Sequence, residues 1–512
     1  MKNLCQNQRT ISLLKKIAAT LCFFIIFIYV FVSVTYLFRG DLASRKSVVG
    51  VKEVEPLDMI YVGGSAAYCY WEPLKAWNDC GFTSYNVATS GIESESILYY
   101  IKNSLKYQTP ELFVVGIRSF EYYHKDGGTE SGLRRTSDSL DFFDMDRIRF
   151  IRSYLNRRTL DTDELSLYLD IMKYHTNYEA LSSPESWEMI NNSGEAPYMG
   201  SVIQSSYYYL EEPEPFQTQN RAELEPNASE TLYELLDFCK EKDLNVLFVV
   251  CPYSISEEDY AIYNTIQDIV SSYGYGFLNA NDYYAEMEFD FSRDFSDKSH
   301  VNDYGAEKYT AFLEKYIKEN YDLPDHRGES RYDRWNELYE EFSSKRESGK
   351  NRIANTIEEV KQGKVLANEL CENIEDLYVW CDLIKDPRFT VLAVGDGEPF
   401  GIMSPREQKA LEAMGLSDIE GDNYIRILCN AEVLYSNAES EDGYEMKIGA
   451  QDDVDCLISN ENKALSIMVQ AEECSRKDTE GINIVVFEND YRYIVDSLTM
   501  KCDADGNVVL IR

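Results

Sequence analysis

Between residues 50 and 320, short apolar runs alternate with helical stripes. The runs are Met59 to Val62, Tyr85 to Ala88, Leu112 to Ile117, Val246 to Val250 and Phe277 to Asn279. Between them, Ile97, Leu98, Ile101 and Leu105 mark one helical face, and Leu232, Leu235, Leu236 and Cys239 mark another. Such β-α alternation predicts a three-layer α/β domain around a parallel sheet. Its last helix is expected to begin near Asp303 or Tyr304, because Ala306, Tyr309, Phe312, Leu313, Tyr316 and Ile317 keep a helical period.

Ahead of this domain, Ile17 to Phe38 is uncharged and apolar. It is long enough to cross a bilayer, for which about 20 residues suffice. A secretory signal would have a shorter apolar region, about 7 to 15 residues, and a small-residue cleavage site. Thr35-Tyr-Leu-Phe-Arg39 is no such site. The expectation is an uncleaved anchor, with residues 1–49 as cytoplasmic tail and span, and everything after about Gly40 outside the cytoplasm. Lys2, Arg9, Lys15 and Lys16 precede the span and Arg39, Arg45 and Lys46 follow it, so charge sets the orientation only weakly. A cytoplasmic-facing domain on the same anchor is the alternative.

An excursion from about Phe120 to Pro226 separates the third and fourth runs and is far longer than an ordinary connection. It is expected to form a lid or side wall. Its Arg147, Arg149, Arg152, Arg157 and Arg158 either meet phosphate or carboxylate groups of a polymer or form a solvated helix face paired with nearby acids. Residues 321–369 are polar and helix-prone around Trp335 to Phe342 and read as a connector. From about 370 to 512 the pattern turns β-rich, with runs at Thr390 to Val394, Tyr424 to Leu428 and Gly481 to Phe487.

The chain of 512 residues has room for two or three domains, and 44% hydrophobic content supplies their cores. A formal net charge of −39 argues against nonspecific nucleic-acid binding, which needs basic residues to neutralise phosphates. The twelve cysteines lack metal-ligand spacing and contain no C-x-x-C, so no metal or cofactor is expected. Most read as buried small apolar residues, with disulfides left open.

Candidate chemistry lies at two distant points. Asp58-Met-Ile-Tyr-Val-Gly-Gly-Ser65 puts a serine on a turn after the first run, and Asp297-Lys-Ser-His300-Val-Asn-Asp-Tyr-Gly305 puts an acid and an imidazole before the last helix. A serine hydroxyl is a weak nucleophile until an imidazole takes its proton, and the imidazole needs a carboxylate to fix its tautomer. In open α/β sheets ligands gather at the carboxyl ends of the strands, where these two segments meet. Singly, Ser65 reads as a turn serine, His300 as an interfacial histidine and Asp297 as a cap. Their joint placement favours catalysis. His124, His175 and His326 lack such a context.

These blocks resemble the SGNH (GDSL-like) hydrolase superfamily over about Pro56 to Asn320, especially its membrane-anchored branch of DltD-like and alginate-acetylation-like proteins. The resemblance implies a three-layer flavodoxin-like fold, Ser65 as nucleophile, His300 as base and Asp297 as its orienting acid. Asn302 and Gly305 extend the match into the start of the final helix. Asn86-Val-Ala-Thr-Ser-Gly91 resembles the block whose glycine N–H enters the oxyanion hole, which makes Gly91 the candidate donor. Where the family pattern has an asparagine donor, this chain has Arg118 in Gly116-Ile-Arg118-Ser119. Three roles for Arg118 stand open: a hydrogen bond to the oxyanion, a grip on an anionic substrate group, or a structural salt bridge.

The C-terminal region resembles interleukin-like EMT inducer (ILEI) domains over about Asn373 to Asp503. The matching pieces are Gly481-Ile-Asn-Ile-Val-Val-Phe-Glu-Asn-Asp with Ile494-Val-Asp-Ser-Leu, Phe389-Thr-Val-Leu-Ala-Val-Gly-Asp-Gly-Glu, Ser404-Pro-Arg-Glu-Gln and Leu411-Glu-Ala-Met-Gly-Leu416. That implies an α+β, β-rich module with a carbohydrate-associated role, while Asn483 and Asp496 read as structural residues. Taken together, the resemblances imply a membrane-anchored extracytoplasmic serine esterase or O-acyltransferase. It would act on cell-envelope polysaccharide or teichoic-acid-like polymers, with a membrane-embedded acyl donor as a further partner. The alternative is a catalytically inactive glycan-binding or scaffolding protein.

Overall fold

The computed structural model describes residues 2–121, 123, 128–160, 162–208, 210, 218–297, 299–361, 374, 376–395, 400, 403–416, 424–429, 432–436, 443–449, 454–461, 464–469, 472–476, 481–489, 493–503 and 506–512. His124, Lys298, Cys371 and the Asp396-Gly-Glu398 stretch of the C-terminal motif lie outside these. The chain divides into two compact units, Met1–Ile353 and Ala354–Arg512.

In the first unit, five strands form one parallel sheet: β1 (Met59–Gly63), β2 (Ser84–Ala88), β3 (Leu112–Gly116), β4 (Val246–Val250) and β5 (Gly276–Asn279). Their order is β2-β1-β3-β4-β5, the doubly wound arrangement with its reversal between β1 and β3. β3 ends at Gly116, one residue short of the expected run. The sheet is buried on both faces, as parallel sheets are. Ile60, Val62, Phe113, Val115, Phe248 and Val250 join one core, and Met59, Tyr61, Leu112, Val114, Leu247 and Val249 join the other. This alternation is the two-residue period of a strand.

The helices that cover the sheet arise from the stripes. α1 (Lys2–Phe38) leads the chain, α2 (Ser65–Tyr70) leaves β1, and α3 (Ser94–Ser104), α4 (Met145–Arg157), α5 (Pro226–Glu241) and α6 (Glu257–Ser272) follow. Ile97, Ile101, Leu232, Leu235 and Leu236 enter the first core. α7 (Asp303–Asn320) begins where expected, capped by Asn302, whose side chain accepts from the Tyr304 N–H. Its Tyr309, Leu313 and Ile317 enter the second core.

α1 is the one helix among the described residues long and apolar enough to cross a membrane, over Leu13–Phe38 with mean hydropathy 2.7. Its last turns nevertheless belong to the folded unit. Thr35, Tyr36 and Leu37 are buried, and Arg39 just beyond is enclosed. Arg39 donates from Nε and Nη2 to Asp170 Oδ2 at 2.9 and 2.6 Å, and from Nη1 to the Asp138 and Leu140 carbonyls at 2.7 and 3.0 Å.

The basic island of the excursion is not a row of free cations. Arg147 is buried against Asp170. Arg158 is buried between Glu93 and Glu95 at 3.0 Å from each, Arg157 reaches Glu234 at 2.9 Å and Arg149 reaches Asp146 at 2.9 Å. Among the described residues, Arg152 is the one of the five that is exposed and outside these ion pairs. Pairing with acids is what the structure contains, but two of the pairs are buried instead of solvated.

The connector also differs from expectation. α8 (Asp333–Lys361) spans the division between the units, and Trp335 and Phe342 in its first half are fully buried. Trp335 packs against Trp77 with ring centroids 5.5 Å apart. That half of the helix is therefore part of the first unit's core.

The second unit is antiparallel and β-rich. A six-stranded sheet contains β6 (Phe389–Gly395), β7 (Tyr424–Cys429), β8 (Glu432–Ser436), β13 (Ile482–Glu488), β14 (Tyr493–Cys502) and β15 (Val508–Ile511). A four-stranded sheet contains β9 (Gly443–Ile448), β10 (Val454–Glu461), β11 (Ala464–Val469) and β12 (Glu472–Glu473). Strands β6 and β13 are buried on both faces. Val391, Ala393, Ile484 and Val486 pack with Leu377, Trp380 and Leu411, while Leu392, Val394, Val485 and Phe487 pack with Ile458 and Ile467 of the smaller sheet.

Asp496 is structural, holding Trp380 Nε1 at 3.0 Å and Arg512 Nε and Nη2 at 3.0 and 2.9 Å. Replacing it by alanine strands a buried donor and a guanidinium. Asp496→Ala is expected to destabilise this unit by about 3 kcal/mol, read as a lowered denaturation midpoint of its transition. Among the described residues the cysteines are free thiols, and six of them are buried.

Candidate active site

Ser65 is the first residue of α2, reached from β1 through Gly63 and Gly64. Gly64 is extended, and a Cβ there would lie 2.9 Å from Ile92 Cγ2, so a larger residue would push the serine turn away from the Gly91 loop. As the opening residue of a helix, Ser65 has a backbone N–H without an intrahelical acceptor.

His300 approaches from the loop before α7. That loop is closed by an antiparallel bridge between Phe295 and Val301 and by Ser296 N–H donating to the His300 carbonyl at 2.9 Å. The buried Asn302 amide secures it further, donating to the Arg293 and Phe295 carbonyls at 2.7 and 3.0 Å.

The structure brings the three sequence-identified groups together. His300 Nε2 lies 2.6 Å from Ser65 Oγ, and His300 Nδ1 lies 2.8 Å from Asp297 Oδ2. Asp297 Oδ1 also accepts from the Ser299 and His300 backbone N–H groups at 2.7 and 2.9 Å. Burial pushes the Asp297 carboxyl up, but the His300 hydrogen bond and charge, with those two N–H groups, outweigh it and hold the carboxyl below its ordinary range. An ionised Asp297 fixes the Nδ1–H tautomer and leaves Nε2 free to accept the serine proton.

These groups open on a cavity of about 240 Å³ whose lining includes Ser65, Gly91, Ile92, Arg118 and His300. Gly91 has φ +53°, a left-handed conformation that favours glycine, and a Cβ there would meet Arg135 Nη1 at 2.9 Å. Gly91→Val is expected to cost about 1–2 kcal/mol of backbone strain. Valine keeps the backbone N–H, so turnover falls only as the strained loop carries that N–H away from a developing oxyanion, by up to about 100-fold. Thermal unfolding and kcat on one preparation separate the two effects.

Arg118 lines the same cavity. Its Nη1 donates to the Ser299 carbonyl at 3.1 Å, and its guanidinium lies 3.9 Å from the Tyr253 ring centroid. The Tyr70 hydroxyl lies 3.0 Å from that same carbonyl and 2.7 Å from Pro252 O, its one proton shared between the two acceptors. Arg118 and Tyr70 thus brace the residue next to His300. Tyr70 and Tyr253 were not singled out by sequence reasoning; Tyr70 lies five positions after Ser65 on α2 with nothing in the sequence to distinguish it from a core tyrosine.

Behind Tyr253, Glu121 accepts from the Tyr253 hydroxyl at 3.0 Å and from the Tyr263 hydroxyl. Burial pushes Glu121 up to about 7, against the lowering effect of these hydroxyls. A carboxyl whose folded pKa is raised binds its proton more tightly in the folded state. Its contribution is present at low pH and is lost as pH climbs from about 4.5 to about 7. Glu121→Gln is expected to remove that slope, at most about 1.4 kcal/mol per pH unit, in urea titrations across this range.

Among the described residues no group of three or more His, Cys, Asp or Glu side chains could hold a metal ion. A second cavity of about 790 Å³ is lined by Tyr68 and Ser90, the chain neighbours of Ala67 and Gly91 in the first cavity, by Tyr198 and Gln204, and by Asp41 shortly after α1.

The fold and site together define an α/β domain with a serine–histidine–aspartate relay at the carboxyl end of its sheet. No family model matches the sequence, and no curated protein matches it. Among solved structures, a gut microbial diltiazem-metabolizing enzyme shares 10% identity over 53% of this chain, with a TM-score of 0.20. The chain spans about half of that enzyme's length, 49%.

Proposed function

We propose that the protein is a membrane-anchored SGNH-type esterase or O-acyltransferase that works through an acyl-enzyme on Ser65. The observation carrying this reading is the continuous relay from Asp297 through His300 to Ser65 Oγ at 2.8 and 2.6 Å. His300 Nε2 takes the serine proton as Oγ attacks an ester carbonyl. The tetrahedral oxyanion develops beside the Ser65 and Gly91 backbone, with Arg118 across the cavity. Collapse expels the alcohol, which receives the proton from His300, and leaves the acyl group on Ser65. Water or a sugar hydroxyl then attacks with His300 as base again and restores the serine.

The substrate class we propose is an acylated or acyl-accepting cell-envelope glycan or teichoic-acid-like polymer, on the extracytoplasmic side. The large cavity running from Ser90 toward Asp41 supports a substrate longer than a simple ester. The anchoring helix supports action next to a membrane, where an embedded acyl donor has access. We further propose that residues 370–512 form an ILEI-like accessory module.

The test uses the full chain in lipid nanodiscs with O-acylated envelope glycans, following release of free acid and acyl transfer to unmodified polymer by mass spectrometry. Release or transfer by the wild type and neither by Ser65→Ala is the expected result. A wild type that does neither on any acylated polymer, yet binds polymer, identifies a noncatalytic glycan-binding protein instead.

A further inference from the structure

The excursion between β3 and β4 carries exposed apolar side chains that neither the cores nor the candidate site use. Phe143 and Tyr178 are each 67% exposed, Leu181 50%, Trp187 48% and Met172 42%. All five sit on segments attached to the upper end of α1. The Phe143 ring meets Phe142 at 5.0 Å, and Phe142 meets Phe31 of α1 at 5.9 Å. Met172 lies in Ile171–Tyr174, Tyr178 and Leu181 bound the turn Tyr178–Leu181, and Trp187 lies in Pro184–Glu188; each segment packs against α1.

Burial along α1 shows where this ring meets the helix. Residues from Leu13 to Val30 are exposed, whereas Phe31 to Phe38 are partly or fully buried by the folded unit. At 1.5 Å per residue, the uncharged exposed stretch Ile17 to Val30 spans about 21 Å, short of the ~30 Å hydrocarbon thickness of a bilayer. A membrane around this helix therefore reaches the level where the excursion begins to wrap it. Tyr29, at that level, lies 3.5 Å from Asn191 Oδ1 through its hydroxyl.

The joint is cross-braced: besides the Arg39 contacts, the Tyr36 hydroxyl accepts from the Phe142 N–H at 2.8 Å and the Phe38 carbonyl from Asn177 Nδ2 at 3.0 Å. These contacts hold the apolar ring at the level where α1 enters the folded unit.

We propose that Phe143, Met172, Tyr178, Leu181 and Trp187 form a docking collar that enters the interfacial layer of the bilayer around α1. Tyrosine and tryptophan suit that layer, with an apolar ring in lipid and a polar edge in water. The exposed charges among them are mainly acidic, Glu179, Glu185 and Glu188 beside Lys173, so the attachment is apolar and needs no anionic lipid.

Trp187 provides the readout. The other four tryptophans, Trp71, Trp77, Trp335 and Trp380, are no more than 1% exposed, and α1 contains none. The full chain is reconstituted in phosphatidylcholine vesicles with and without bromine on the acyl chains near the headgroups. Emission is expected to fall in the brominated vesicles, with the loss absent from Trp187→Phe and smaller in Leu181→Asp, whose thermal unfolding is followed alongside to check that the fold is kept. Unchanged Trp187 emission in brominated vesicles overturns the proposal. Aqueous iodide then says why: free quenching places the surface in water, and protection from both quenchers places it under protein.

Discussion

Ser65→Ala is expected to reduce acyl turnover by about 10⁴-fold or more, because serine-relay enzymes lose most of their acceleration with the nucleophile. The fold is expected to survive. Among the described residues Ser65 Oγ bonds to His300 Nε2 and holds no other side chain in place, and an alanine at a helix start loses little. The measurement is turnover beside a thermal unfolding curve; the same loss of activity with a collapsed melting transition would assign the effect to folding.

The second large effect is Asp297→Asn, expected to lower kcat by about 10³- to 10⁴-fold. An amide is neutral and can present its N–H to His300 Nδ1, favouring the tautomer that carries its proton on Nε2 and cannot accept from Ser65. Because Asp297 Oδ1 also holds the Ser299 and His300 N–H groups, the substitution loosens the loop too. Asp297→Glu separates the roles: it retains the charge while displacing the carboxylate. Partial recovery of kcat in the glutamate variant indicates that ionisation matters beyond loop geometry.

The sheet was legible because its strands are buried on both sides. An uninterrupted apolar run such as Val246 to Val250 has few other places to go, and the stripes between such runs supply the covering helices. The start of α7 was legible because Asn302 is a capping residue followed by a helical stripe. The two halves of the relay were legible as motifs, since β-α alternation brings the ends of strands to one edge whatever their separation in the chain.

What escaped sequence reading depends on packing between distant segments. Arg147 and Arg158 looked like candidates for polymer contact because charge is visible in a sequence and the partner is not; their acids lie 23 and 63 positions away. Arg118 and Tyr70 converge on the Ser299 carbonyl through loop packing that no local pattern encodes. Hydropathy likewise cannot separate lipid burial from protein burial. Val30 and Leu37 look alike in the apolar run, yet Val30 is 50% exposed and Leu37 2%.

The most direct test of the central claim is covalent labelling of the full chain by a fluorophosphonate, with the modified peptide located by mass spectrometry. Ser65 Oγ attacks the phosphorus while His300 takes the proton and fluoride leaves, so the adduct requires an activated serine. One adduct on Ser65 is expected, absent from Ser65→Ala and strongly slowed in His300→Ala. Labelling that leaves Ser65 unmodified in the folded wild type, or proceeds equally fast without His300, would contradict it.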